Sequence, residues 1–222
     1  MQTKDDLHYI QTKAVLRGER QLDSLKQQLI HWISNRFEID VINIEYDKIA
    51  QGTRDRINVI VRKRADAEKM DHRGPDYFGY DQAYQQEILD AFQRIYAGAN
   101  FIDFSGELKP WVMFSVFNDI ALSEANTAIS LQELTTITEE YAALGIWQII
   151  QFFGATVVFH FKTDQVEHLD QAKAESLRKR LLQAIKAHDE FDLIEEATFT
   201  LNFDSKEHLD QKFDGNMLNY FR

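Results

Sequence analysis

The sequence predicts an α+β protein: a two-layer sandwich with helices on one face of a mixed, mainly antiparallel sheet, ending in a C-terminal βαβα unit. Three observations lead there. Segments with apolar residues every three or four positions alternate with short segments whose apolar residues fall at every second position, which are the periods of helix and strand. The strand-like segments also carry a polar second face: Asn43 and Glu45 beside Ile42, Ile44 and Tyr46; Asn58 and Arg62 beside Ile57, Val59 and Val61; Thr198, Thr200 and Asn202 beside Phe199, Leu201 and Phe203. A sheet buried on both sides would show continuous apolar runs, so this face is expected to be wet. Finally, residues 164–171 (DQVEHLDQ) recur as 204–211 (DSKEHLDQ), each copy after a strand-like segment.

In chain order, Leu22, Leu25, Leu29, Trp32 and Ile33 mark an amphipathic helix over residues 20–36. The alternating runs at 41–46 and 57–62 form a β-hairpin around a long loop containing Gly52 and Asp55. Residues 64–80 are polar and glycine-containing, a surface loop. Tyr84, Ile88, Ala91, Phe92 and Ile95 give a second helix that ends near Gly98, and a strand at 111–117 follows Pro110. A helix spans 131–144 and stops at Gly145. Residues 146–153 fit a strand by their β-branched and aromatic content and a buried helix by spacing; strand is preferred. In the last third, Asp164 and Asp204 are expected at helix N-caps, with Glu167 and Glu207 three residues on. Leu169, Leu177, Leu181 and Ile185 stripe the longer helix, and the connection of about 33 residues lets its flanking strands lie parallel. The whole, residues 1–222, reads as a single α+β domain, with pseudo-halves 1–118 and 119–222 as the alternative.

Composition bounds the function. The chain has 222 residues, 44% hydrophobic and 27% charged, with a formal net charge of −11. Residues 1–110 hold 16 Lys and Arg against 18 Asp and Glu, whereas residues 111–222 hold 9 against 18. A field this negative repels phosphate backbones and anionic membranes and attracts basic partners, so no nucleic acid and no membrane is expected. There is no cysteine, which excludes disulfides, thiolate metal sites and thiol nucleophiles and fits a reducing, cytoplasmic setting. No apolar run approaches the roughly 20 residues a membrane span requires, and no secretory leader is visible.

Several residues are candidates for chemistry or binding. Asp71, His72 and Asp76, beside Arg73 and Gly74, could form an acid–base or anion site on the predicted loop, although loops collect such residues because water is there. His160, Thr198, Thr200 and Asn202 would share the open sheet face and could bind a small ligand. Tyr77, Phe78 and Tyr80 place three aromatics in four residues on a loop, as interface anchors do, and Met217–Phe221 is similar; either group could equally tuck into the protein's own core. Arg54, Arg56, Arg62, Lys63 and Arg64 could hold an acidic group or simply guard an exposed hairpin. Glu167, His168 and Asp170 lack a metal-ligand spacing and read as first-turn carboxylates beside a helix terminus, so no metal and no cofactor is expected. Nucleotide-binding glycine motifs are absent. The reading that follows is a non-catalytic acidic interaction protein for a basic partner, of inhibitor or immunity type. The alternatives are a small-molecule hydrolase or metal-dependent enzyme using the loop or sheet histidines, and a subunit of a homo-oligomer.

Overall fold

The computed structural model describes residues 4–49, 54–71, 79–97, 110–152, 155–197 and 199–221. The chain divides into two compact units, Met1–Ile120 and Ala121–Arg222. Both are α+β.

The first unit begins with α1 (Leu7–Leu16) and α2 (Ser24–Phe37), capped by the Asp6 and Asp23 carboxylates, which accept from His8 and Lys26 N–H. The hairpin β1 (Val41–Ile49) and β2 (Arg54–Val61) follows, then the short α3 (Arg64–Glu68), α4 (Gln82–Ile95) and β3 (Trp111–Val116); α5 (Phe117–Thr127) runs across the division after Ile120. The sheet order is β1-β2-β3, antiparallel then parallel. Ile57, Val59 and Val61 of the central strand face Leu29 and Ile33 of α2 and Ile88 and Phe92 of α4, and all are fully buried or nearly so.

The second unit repeats this topology. Its elements are α6 (Leu131–Glu140), a single 3₁₀ turn ending at Gly145, β4 (Ile146–Phe152), β5 (Ala155–His160), the short α7 (Thr163–Glu167), α8 (Gln171–Lys186), β6 (Leu201–Ser205), α9 (Lys206–Phe213) and α10 (Met217–Tyr220). The order is β4-β5-β6, again antiparallel then parallel. The correspondence extends to detail. Each hairpin slips register at its first strand, between Val41 and Asn43 and between Ile146 and Gln148. The backbone bond that closes the hairpin recurs as well, Arg62 N–H to Asp40 at 2.9 Å and Phe161 N–H to Gly145 at 3.1 Å. Four buried residues of α4 (Ile88, Leu89, Ala91, Phe92) match four of α8 (Leu181, Leu182, Ala184, Ile185) in spacing.

The α+β class, the hairpin, the strand at 146–152 and the parallel β5–β6 pair agree with the sequence reading. The wet polar face agrees only at Thr200 and Asn202, which are exposed. In the first unit α1 lies over it, and Asn43 and Asn58 are fully buried. The Asn58 amide donates to His8 Nδ1 at 3.0 Å, and Ser115 Oγ donates to the Asn58 carbonyl oxygen at 2.6 Å. Asn43 donates to Thr12 Oγ1 at 3.0 Å and to Glu45 at 2.9 Å. In the second unit the same face is apolar: Val157 and Phe159 pack with Leu209, Phe213, Met217, Tyr220 and Phe221 of α9, α10 and the residue after it. Over Asn43, Asn58, Val157 and Phe159 helical cover replaces the solvent.

The octet repeat also resolves differently. Residues 164–171 form most of α7 and the turn into α8, whereas 204–211 run from the end of β6 into α9. Asp164 and Asp204 are not N-caps; Lys162 and Ser205 hold those positions, and Asp170 caps α8. The structural repeat lies between the two units instead.

Because Asn58 serves both His8 and Ser115, Asn58→Ala removes two buried hydrogen bonds and should lower the unfolding free energy by about 2 kcal/mol. Asn202→Ala, on an exposed position, should shift it by less than about 0.5 kcal/mol. Urea denaturation of both variants checks the assignment; equal effects would contradict it.

Candidate functional site

The residues singled out in the sequence separate in space. His72, Asp76, Tyr77, Phe78 and Thr198 lie outside the described residues. Asp71 is exposed and forms a single antiparallel bridge with Tyr80. Tyr80 turns inward: its hydroxyl donates to the Phe114 carbonyl at 2.8 Å, and its ring lies 4.9 Å from that of Phe114. Burial raises the Tyr80 pKa, keeping the phenol protonated.

His160 does not share a face with Asn202. It pairs with Ser205, while Asn202 pairs with Val157, so the two side chains leave the sheet on opposite sides. Thr200 precedes β6 and is exposed. His160 itself is fully buried. Its Nδ1–H donates to the Leu144 carbonyl at 2.9 Å, which places the acceptor lone pair on Nε2, and Nε2 has no hydrogen-bond partner among the described residues. Gln151 Nε2 and Thr156 Oγ1, opposite each other across β4 and β5, are in the same condition. The corresponding positions of the first unit are Tyr46, Ile57 and Val61: a tyrosine whose hydroxyl bonds Asp55 at 2.6 Å, and two buried aliphatic residues. Desolvation lowers the His160 pKa.

The four arginines of the basic cluster at 54–64 are spent on neighbours. Arg56 pairs with Asp47, Arg62 with Asp40 at 2.5 Å and Arg64 with Asp119, while the Arg54 guanidinium sits 5.8 Å from the Trp111 ring centre. The Asp47 hydrogen bond raises the Arg56 pKa further. In the second unit, Asp204 collects His208 Nδ1 at 2.9 Å and the Tyr220 hydroxyl at 2.8 Å. Burial and that carboxylate both raise the Tyr220 pKa. This trio fastens α9 and α10 to the sheet. Among the described residues, no group of three or more His, Asp and Glu is placed to hold a metal ion.

The segment joining α8 to β6 is where the acidic charge is displayed. Glu190, Asp192, Glu195 and Glu196 are exposed within seven positions, with no Lys or Arg between them. Internal bonds hold the segment. The Asp189 carboxylate accepts the Ile194 N–H at 2.7 Å, Ile194 is buried, and Asp192 adopts the left-handed backbone at φ 49°. Arg178 of α8 reaches the Glu196 carbonyl, the Phe199 carbonyl at 3.2 Å and the Phe199 ring at 5.7 Å. An aspartate and an arginine thus tie down the backbone that carries the exposed carboxylates. The charge was legible in the sequence; the tethering was not, since Arg178 reads as one more exposed helix residue.

His160 makes stability depend on pH. Burial keeps the folded ring neutral, while in the unfolded chain it takes up a proton near its ordinary value of about 6.5. Acidification below about pH 6.5 therefore favours unfolding through this group, and the loss levels off only once the pH passes the lowered pKa of the folded state. His160→Val, which installs the residue of the equivalent strand position, should remove that part of the pH dependence. Urea midpoints of both proteins between about pH 7.5 and pH 5 check this; parallel curves would contradict it.

Comparison with protein-family models, with curated proteins and with solved structures returns no match.

Proposed function

We propose that this protein is a non-catalytic interaction protein that engages a basic protein partner through the acidic face of its second unit, in the manner of an inhibitor or immunity protein. The observation that carries the reading is the tethered segment 189–196. Its exposed carboxylates stand on a backbone held by Asp189 and Arg178, so little ordering remains for a partner to impose. The surrounding charge supports it: 9 Lys and Arg against 18 Asp and Glu after residue 110 give a field that accelerates encounter with a cation and rejects anions. Leu131, Phe161 and Leu218 of the same unit are large, apolar and exposed, a composition suited to contact surfaces. The lack of cysteine fits a partner met in a reducing compartment such as the cytoplasm.

The test uses the full chain as bait in native lysate at about 50 mM and about 500 mM salt, alongside a Glu190→Gln, Asp192→Asn, Glu195→Gln variant. Asparagine tolerates the left-handed backbone at position 192, so the variant keeps the segment's shape. Basic proteins should be retained at low salt, released at high salt and lost from the variant. Retention unchanged by either treatment would overturn the proposal.

A further inference from the structure

An open groove of about 540 Å3 runs between α2 and α4 of the first unit. Gln28, His31, Trp32, Asn35 and Arg36 enter it from α2, a single helical stripe at spacings of three, one, three and one. Arg94 and Ile95 enter from the last turn of α4. The volume falls within the range of about 300–1,000 Å3 that small ligands occupy. Trp32 and Ile95 are half-buried, and the polar lining residues are exposed.

The chemistry of the lining is specific. The Arg94 guanidinium sits 5.8 Å from the Trp32 ring centre and forms no ion pair with a described carboxylate. Arg36 is held by Glu87 at 2.7 and 3.1 Å, so its charge is already balanced. His31 Nε2 accepts from the Asn35 amide at 2.8 Å, which makes Nδ1 the N–H donor of the neutral imidazole. Among the described residues, no acidic one lines the groove. A guanidinium resting on an indole offers both a flat surface and a bidentate anion donor.

Packing does not require these groups, because the second unit packs the same helices without them. Ile33 of α2 matches Ile137 of α6, both fully buried, and the ion pair between the two helices recurs with its charges exchanged, Arg36–Glu87 against Glu140–Arg180 at 3.0 Å. With the helices aligned on those anchors, Trp32 falls on Thr136, Asn35 on Glu139 and Arg94 on Ala187. At these helix positions, among the described residues, the aromatic and the cation belong to the first unit.

We infer that the α2–α4 groove binds a small aromatic anion, its ring against the Trp32–Arg94 pair and its charged group held by Arg94 and the His31 N–H. The chain's net charge of −11 does not prevent this, since charges beyond about 8 Å are screened at physiological salt and the local lining decides. Aromatic carboxylates and nucleoside monophosphates share the required chemistry. Calorimetric titration of the full chain with benzoate and indole-3-carboxylate forms one arm, with AMP and UMP the other, and inorganic phosphate serves as the ringless control. One arm should saturate with a dissociation constant below about 1 mM. Arg94→Gln, an exposed change, should weaken that binding at least about tenfold while leaving the melting temperature unchanged. No saturation in either arm up to about 10 mM, inorganic phosphate binding as well as the ring-bearing ligands, or undiminished binding by the variant would each overturn the inference.

Discussion

A three-stranded sheet has two faces, and a pair of packed helices covers only one. Everything else in this protein follows from how the second face is closed, because the central strands β2 and β5 carry apolar or hydrogen-bonding side chains on both sides. In the first unit the cover is α1, and the contact is polar: His8 and Thr12 meet Asn43 and Asn58, with Ser115 bonded from the far strand. Such an interface must be complete, since each buried group left unpaired costs about 1–3 kcal/mol. In the second unit the cover comes from the other end of the chain, and the contact is aromatic. Phe159 lies 5.1 Å from Tyr220, and Phe152 stacks on Phe221 at 4.6 Å. Non-directional burial closes one sheet and directional bonding the other.

The shared topology separates what the fold needs from what it merely permits. The strand order, the register slip, the closing backbone bond and the buried stripe of α4 and α8 are common to both units, so they serve packing. The departures are where other roles can reside. The first unit adds an indole, a guanidinium and an imidazole along its helix pair. The second concentrates exposed carboxylates after α8 and places His160, Thr156 and Gln151, each with a polar atom unpartnered among the described residues, on a face that is Val61, Ile57 and Tyr46 in its counterpart. Two units on one plan thus carry surfaces of opposite local sign.

The candidate sites were legible in unequal measure. Acidic charge after residue 110 is a matter of counting, but the order of segment 189–196 depends on Arg178, which reaches carbonyls 18 and 21 residues ahead. The α2–α4 groove escaped the sequence reading because Trp32 fits the apolar stripe of its helix and Arg94 sits some 60 residues away. The available signal was the cationic and aromatic content of a stripe that a buried helix face does not need. Placing His160 and Asn202 on one open face failed by register: strand β6 begins at Leu201, and its pairing sets Asn202 beside Val157.

Local periodicity alone determined the elements with strong patterns, α2, the β1–β2 hairpin, α4, β3, α6 and the parallel β5–β6 crossover, and with them the α+β class; composition gave the acidic balance. Tertiary structure alone decided what the polar strand residues face. Asn43 and Asn58 carry the same alternation whether they meet water or His8 and Thr12, because period reports the direction of a side chain and not its surroundings. Their partners lie 31 and 50 residues away in sequence, on a helix whose own apolar stripe is weak. Only the folded chain brings the two together, and only there does a polar face become an interior one.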